Sequence, residues 1–145
     1  MKIEIKSPTR VDLAGGTLDL WPLYSFIGGA ITVNVAIDIM TTASLETRPD
    51  NKIILESKDL NLRKEYANLD EALRDSDTRL SLLQTQLAYW RPESGFYLNT
   101  SSQSPVGGGL GGSSSLTVSL MKAFSQMTQR GFTSTHQLVH ASHNI

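Results

Sequence analysis

The pattern of hydrophobic and polar positions divides the chain into a strand-rich first half and a helix-rich second half. Apolar and polar residues alternate over residues 3–13 with an interruption at Ser7-Pro8, which predicts a strand with a kink. Similar β-type patterns follow at residues 31–37, 42–48 and 52–56. We therefore expect the first half of the chain to form a sheet.

Helical spacing begins after this region. Large apolar residues recur at intervals of three and four, with one interval of seven, between Leu69 and Trp90, which predicts a helix that is broken near Ser76 and ended by Arg91-Pro92. A short strand is predicted at residues 95–99, and a second helix runs from Ser113 to a stop at Gly131. The predicted order is strand, glycine-rich loop, helix.

A last helix begins at Ser134, where Ser134-Thr-His-Gln has the form of a capping box. Its pattern meets no terminator before Ile145. We expect the natural polypeptide to continue beyond this point, so that residues 1–145 form one domain of a truncated protein.

Charge is distributed unevenly along the chain. Residues 1–93 carry 11 Lys and Arg against 14 Asp and Glu, whereas residues 94–145 carry two cations and no carboxylate. Two dispersed cations are too few for a nucleic-acid surface, so a small anionic ligand suits this region better.

The chain contains no cysteine, which excludes disulfides, cysteine-bound zinc and thiol catalysis. Its N-terminus lacks the apolar core of a signal peptide, and no 18-residue apolar run occurs. These features predict a soluble cytoplasmic protein that binds neither membrane nor nucleic acid, and they do not predict an oligomeric state.

The glycine-rich stretch at residues 105–115, PVGGGLGGSSS, carries the clearest chemistry. Five glycines within residues 107–112 let the backbone approach a ligand closely, and the helix that follows offers unpaired N–H groups and a partial positive charge. Serine hydroxyls at the same end can cap the helix, bind phosphate or join a magnesium shell. The stretch therefore predicts a phosphate-binding loop.

Three other interpretations of this stretch remain. It could be a flexible turn with a serine cap. A Walker P-loop would need lysine where Ser113 stands, and a dinucleotide-binding motif would need an acidic residue about 20 positions later, although none follows Glu93.

Two motifs together resemble the GHMP kinases, the group of galactokinase, homoserine kinase, mevalonate kinase and phosphomevalonate kinase. PVGGGLGGSSS is similar to the group's second signature, and PTRVDLAGGTLD at residues 8–19 is similar to its first. The sequence AGGTLDL within and after this motif is more similar to the bacterial sugar and heptose-phosphate kinases than to galactokinase. The resemblance implies the N-terminal, ATP-binding part of an α+β fold with two layers, whose second, ferredoxin-like domain is largely missing.

The resemblance also implies an activity, the transfer of the γ-phosphate of Mg-ATP to a hydroxyl of a sugar or sugar phosphate. Arg10 would act at the reacting groups, Asp19 and, more weakly, Thr17 would bind the substrate, and Ser113 would face Mg²⁺. Because this chain has GSSS where relatives commonly have SSA, Ser114 and Ser115 remain alternatives for the metal. The residues implied to hold the ATP phosphates are Gly107, Gly108, Gly109, Leu110, Gly111, Gly112, Ser113 and Ser114.

Each assignment has a structural alternative. Arg10 could simply pair with Asp12 or Asp38, and Asp19 could cap the turn that begins at Gly15. The catalytic base would lie beyond residue 145, so we expect little activity from the chain alone. A nucleotide-binding or assembly module without catalysis, and an NAD-type domain, are the alternative functions.

Overall fold

The computed structural model describes residues 1–18, 22–105, 107–132 and 134–143. Five strands form one mixed sheet in the order β1-β2-β5-β3-β4, in which only β3 and β5 run parallel among the described residues. The strands are β1 (Lys2–Ala14), β2 (Val33–Thr47), β3 (Ile53–Ser57), β4 (Leu62–Tyr66) and β5 (Phe96–Ser102).

Helices pack against one face of this sheet. Helix α4 lies on β1 and β2 and contacts α3 and α5, while α2 contacts β4 and α3. The helices are α1 (Leu23–Phe26), α2 (Leu69–Arg74), α3 (Ser81–Trp90), α4 (Gly112–Thr128) and α5 (Thr135–His143), with a 3-10 turn at Thr78–Leu80. The predicted α+β fold with two layers is confirmed.

The mostly antiparallel sheet also decides between two interpretations of the glycine loop. A dinucleotide-binding domain needs an open, mostly parallel sheet. Because β5, which leads into the loop, pairs antiparallel with β2, the NAD-type alternative is wrong.

The predicted kink in the first strand is confirmed. Pairing between β1 and β2 shifts register between Pro8 and Thr9, so that Asp38 and Ile39 of β2 have no partner in the ladder. Proline has no N–H to donate to a ladder, which explains why the irregularity falls there. The patterns at residues 31–37 and 42–48 belong to one long strand, β2, that continues through this bulge.

The core lies between the sheet and helices α2, α3 and α4. On α4, Leu116, Leu120 and Phe124 recur every four residues and are buried, as the helical spacing predicts. Phe124 meets Phe96 of β5 edge to face, with ring centroids 5.5 Å apart. This packing fixes α4 against the sheet and thereby fixes the loop that precedes it.

One predicted helix boundary is confirmed and another differs. The break near Ser76 is confirmed, since α2 ends at Arg74 and the 3-10 turn intervenes before α3. Helix α4, however, ends before Gly131, because Gln129 takes the left-handed conformation with φ 55°. The hydroxyl of Ser125 donates to the carbonyl of Arg130 at 3.0 Å and so helps to hold this unusual end.

No helix in the described parts of the chain is both long and apolar enough to cross a bilayer.

Candidate nucleotide-binding site

The glycine-rich stretch connects the end of β5 to the start of α4. Gly107, Gly109 and Gly111 have φ values of 75°, 69° and 66°. Gly111 is the N-cap of α4, and a residue with a Cβ would be strained in its left-handed conformation. The glycines are therefore needed to turn the chain from the strand into the helix, and the predicted order of strand, loop and helix is confirmed.

A cleft of about 380 Å³ lies along this loop, within the range of roughly 300–1,000 Å³ that is usual for small-molecule sites. The loop and the first turn of α4 line one part of it, while the turn between β3 and β4 and the start of α3 line another. Its apolar lining side chains include Leu60, Leu82, Leu83 and Leu116, and its polar ones include Ser57, Asp59, Arg79, Ser102, Ser104 and Ser113. The lining thus combines an apolar wall with a polar loop and helix end.

The three consecutive serines of α4 occupy different environments. Ser113 is exposed and lines the cleft. Ser114 is also exposed but is not among the residues that line the cleft. Ser113 is therefore the serine placed best for a ligand in the cleft.

The hydroxyl of Ser115 is turned toward the sheet instead. It lies 2.9 Å from the Thr41 hydroxyl and can donate to the carbonyls of Ser7, at 3.1 Å, and Pro8, at 2.9 Å. One turn later, the hydroxyl of Ser119 donates to that of Ser7 at 2.8 Å. Ser115 therefore joins α4 to the β1 bulge, and its hydroxyl is engaged there.

Arg10, in the motif at residues 8–19, lies next to the glycine-rich stretch. Its backbone N–H donates to the carbonyl of Leu110 at 3.1 Å. Its side chain lies beside Gly111, where an added Cβ would sit 3.7 Å from Cγ and Nη1 of Arg10. Residues about 100 positions apart in the sequence thus meet at one end of the loop.

The ion pair between Arg10 and Asp12, which was one structural alternative, is also present. Nε of Arg10 donates to Oδ1 of Asp12 at 2.9 Å. The pairing does not remove Arg10 from the loop, because the side chain that pairs with the carboxylate also lies beside Gly111.

The remaining residues of the first motif lie after the end of β1. The N–H of Leu18 donates to the carbonyl of Gly15 at 2.9 Å, which closes a turn, and Thr17 is exposed within it. A Cβ at Gly15 would overlap the carbonyl oxygen of Ile31. Asp19 lies outside the described residues, so its predicted contact with substrate stays a prediction.

Sequence patterns did not indicate the far wall of the cleft. Strand β4 was not predicted, because three consecutive charged residues, Arg63, Lys64 and Glu65, hide its two buried ends, Leu62 and Tyr66. Asn61 could have signalled the hairpin, since asparagine tolerates the left-handed conformation that it adopts here with φ 46°. This hairpin brings Asp59 and Leu60 to the cleft.

Arg79 reaches the cleft from a charged cluster at the break before α3. Asp77 accepts hydrogen bonds from the Arg79 guanidinium at 2.6 Å and 2.9 Å, and this pairing lowers the pKa of the Asp77 carboxyl below its ordinary 3.8. Lys64 donates to Asp75 at 2.9 Å and lowers the pKa of that carboxyl as well. The cluster joins the β3–β4 hairpin to the segment between α2 and α3.

Comparisons with known proteins agree with this geometry. Residues 78–145 match the family model of the GHMP kinases N terminal domain, and this range contains the whole glycine loop. A D-glycero-alpha-D-manno-heptose 7-phosphate kinase of Campylobacter jejuni is 33% identical over 129 residues, which cover 86% of this chain and 37% of that protein. A mevalonate kinase of Methanocaldococcus jannaschii is 30% identical over 130 residues, which cover 83% of this chain and 39% of that protein.

Comparison of the fold with solved structures also finds a kinase. The crystal structure of a putative sugar kinase from Campylobacter jejuni matches 99% of this chain with a TM-score of 0.74 and 27% identity, over 44% of its own length. The chain thus spans less than half the length of these proteins. Because the family model covers the glycine loop, and both relatives and the fold match most of the chain, the chain belongs to the GHMP kinase family.

Proposed function

We propose that this chain is the ATP-binding part of a kinase that transfers the γ-phosphate of Mg-ATP to a hydroxyl of a sugar or sugar phosphate. The observation that carries the proposal is the meeting of Arg10 with the glycine loop at the N-terminus of α4. A helix N-terminus, a glycine backbone and a guanidinium all favour an anion at this place.

The cleft suggests an orientation for the nucleotide. The triphosphate would lie along Gly107–Ser113, where main-chain N–H groups and the helix dipole compensate its charge. The base would pack against Leu60, Leu82 and Leu83, which supply the apolar wall. In this orientation the γ-phosphate would lie toward Gly111, beside Arg10, although Arg10 is not itself among the residues that line the cleft.

Magnesium fits the same end of the cleft. The Ser113 hydroxyl is exposed in the first turn of α4 and lines the cleft, so it can supply one of the oxygen ligands that Mg²⁺ prefers. When bound, the ion would neutralise charge on the phosphate oxygens. Ser115 suits this role less well because β1 and β2 engage its hydroxyl.

Arg10 would stabilise the charge on the phosphoryl group during transfer, and Thr17 and Asp19 would contact the acceptor from the turn that follows β1. Phosphoryl transfer depends mainly on positioning and charge compensation, which these groups can supply. Sugar phosphates are favoured as acceptors because the heptose 7-phosphate kinase is 33% identical to this chain, and mevalonate is the competing class.

The experiment is a γ-phosphate transfer assay with labelled ATP and a panel of sugars, sugar phosphates and mevalonate. The panel is run with this chain and with the full-length protein from its source. We expect transfer by the full-length protein to one sugar phosphate, at least 100-fold slower transfer in Arg10→Ala, and unchanged transfer in Ser142→Ala on α5. Comparable transfer by the 145-residue chain would show that the chain needs no further residues, and no transfer by the full-length protein to any acceptor would refute the kinase assignment.

A second candidate is a module that binds nucleotide without transferring phosphate. It is favoured by the lack of any Asp or Glu in residues 94–145, which leaves the last third of the chain, where the loop lies, without a carboxylate to act as a base. Magnesium-dependent ATP binding by the full-length protein, without transfer to any acceptor in the panel, would support this candidate.

A further inference from the structure

The described neighbours of the Arg10 side chain include a carboxylate and the glycine loop. On one side its Nε donates to Oδ1 of Asp12 at 2.9 Å. On the other side its Cγ and Nη1 lie next to Gly111, the N-cap of α4. Asp12 therefore engages the Nε edge of the guanidinium, while the aliphatic Cγ and Nη1 both lie beside the loop.

Asp12 is itself held in place by the turn that follows it. The pairing of β1 with β2 shifts register between Asp12 and Ala14, which leaves an extra residue in β1 and bends the strand. The Asp12 carboxylate then lies so close to Gly16 that an added Cβ at Gly16 would come within 2.8 Å of Asp12 Cβ and Oδ2.

The reason for glycine at position 16 is therefore specific. The left-handed conformations of the described residues include Gly15 but not Gly16, so the backbone at Gly16 is open to other residues. All three of the nearest atoms to a Cβ at Gly16 belong to the Asp12 side chain. The absence of a side chain at this position makes room for the carboxylate that pairs with Arg10.

The ion pair itself is a weak source of stability. The side chains of Arg10 and Asp12 are 41% and 27% exposed, and exposed pairs of this kind contribute little to folding. Its effect is on direction, because the Asp12 carboxylate holds the Nε edge of a long, flexible side chain that lies beside the loop.

We propose that Asp12 is a positioning residue that aims the Arg10 guanidinium at the terminal phosphate of the bound nucleotide, with Gly16 as the space that the carboxylate needs. This inference rests on the proposed function, since it assumes that a triphosphate occupies the glycine loop. It makes Asp12 a determinant of the preference for ATP over ADP, because the two nucleotides differ in the phosphate that Arg10 would contact.

The test measures the dissociation constants of Mg-ATP and Mg-ADP for this chain by calorimetry and compares their ratio among variants. Arg10→Ala should reduce the preference for ATP by about tenfold, as expected for loss of one hydrogen bond to a charged group. Asp12→Ala should approach the same ratio, whereas Asp12→Asn, which retains an acceptor for Nε, should keep most of the preference. Asp38→Ala, which removes an exposed carboxylate of β2, should bind both nucleotides like the wild type.

Gly16→Ala provides a second route to the same result, because the new Cβ must displace the carboxylate. It should lower the ATP preference while ADP affinity stays within about twofold of the wild type. Far-ultraviolet circular dichroism checks that each variant is folded. If Asp12→Ala does not fold, the ratio measured for Gly16→Ala is used to test the role of Asp12. If Asp12 had only a structural role, Asp12→Ala would weaken the binding of both nucleotides equally and leave the ratio of their dissociation constants unchanged.

The outcomes separate the inference from the function on which it rests. If the wild type binds neither nucleotide, the proposed function fails and the inference fails with it. If Arg10→Ala lowers the preference for ATP but Asp12→Ala leaves it unchanged or raises it, the nucleotide site stands and the role of Asp12 is refuted.

Discussion

Two ends of the same pair of strands have opposite surroundings. Where β2 pairs with both β1 and β5, residues such as Ala43 and Leu45 are completely buried under α4. Beyond the bulge, β1 and β2 continue as a two-stranded ribbon, and most of the described residues there and in residues 22–31 are exposed, although Thr9 is buried. The exposed large apolar side chains of this region are Leu13, Leu18, Leu23, Tyr24, Phe26, Ile27, Ile31, Val33 and Val35.

The proposed sites for the donor nucleotide and for the acceptor lie in regions that differ in this way. The loop that would hold the donor nucleotide is fixed by the packed part of the sheet and by α4. The turn that would contact the acceptor follows β1 at the end of the ribbon, and the segment after it carries exposed apolar side chains such as Phe26, which is 79% exposed. The bulge at Pro8, where Ser115 attaches α4 and Arg10 begins to approach the loop, is the boundary between the two regions.

The largest expected effect compares one phenylalanine from each region. Phe124→Ala in the core should lower the free energy of unfolding by about 3–5 kcal/mol, because it removes a buried ring and leaves a cavity. Phe26→Ala on the ribbon side should change it by no more than about 0.5 kcal/mol. Urea denaturation measures both, and equal losses would show that Phe26 is packed as tightly as Phe124.

Ser113→Ala tests the donor side without disturbing the core. We expect Mg-ATP to bind about 10-fold to 100-fold more weakly, since an exposed hydroxyl that would contact phosphate or metal is removed. The free energy of unfolding should hardly change. Calorimetric titration measures the affinity, and wild-type affinity in this variant would remove Ser113 from the site.

Ser115→Ala tests the boundary. Removing the hydroxyl that joins α4 to Ser7, Pro8 and Thr41 should cost about 1–2 kcal/mol of stability, because the carbonyls lose a donor. Ser114→Ala, one residue earlier and exposed, is the matched control and should be close to neutral. If the two variants unfold at the same urea concentration, Ser115 does not hold the helix to the strand.

A smaller effect is expected from pH, in the charged cluster beneath the far wall of the cleft. The pKa of Asp77 is lowered in the folded state, and the largest cause is its hydrogen bond with Arg79. Its contribution to stability is therefore complete above the ordinary carboxyl pKa of 3.8 and is lost as the pH falls below that value. The difference in urea midpoint between the wild type and Asp77→Asn should be largest above pH 4 and should shrink in acid, while a difference independent of pH would contradict the pairing.

Much of the fold was predictable because it depends on local rules. The proline at position 8 marked the kink, the spacing of Leu116, Leu120 and Phe124 marked α4, and the glycines marked the loop. Strand β4 was not predicted, because its central residues are charged and its stability comes from pairing with β3. The sequence pattern also predicted two strands in place of β2, because the bulge at Asp38 and Ile39 interrupts the alternation of apolar and polar residues.

The site was predictable in its residues but not in its geometry. Resemblance placed Arg10 and the loop in one site, yet their contact spans about 100 residues and follows from how α4 packs on β1. The pairing of Asp12 with Arg10 was foreseen only as an alternative to function. The closeness of Gly16 to Asp12 depends on a bulge that no local pattern reveals.

The central claim is that the cleft along the glycine loop is a Mg-ATP site, and calorimetric titration of Mg-ATP into this chain tests it most directly. We predict one binding site per chain, binding that weakens when Mg²⁺ is chelated, and loss of binding in Gly111→Val, because valine is strained at a φ of 66°. Absence of binding by the folded wild-type chain, or unchanged binding in a folded Gly111→Val, would contradict the claim.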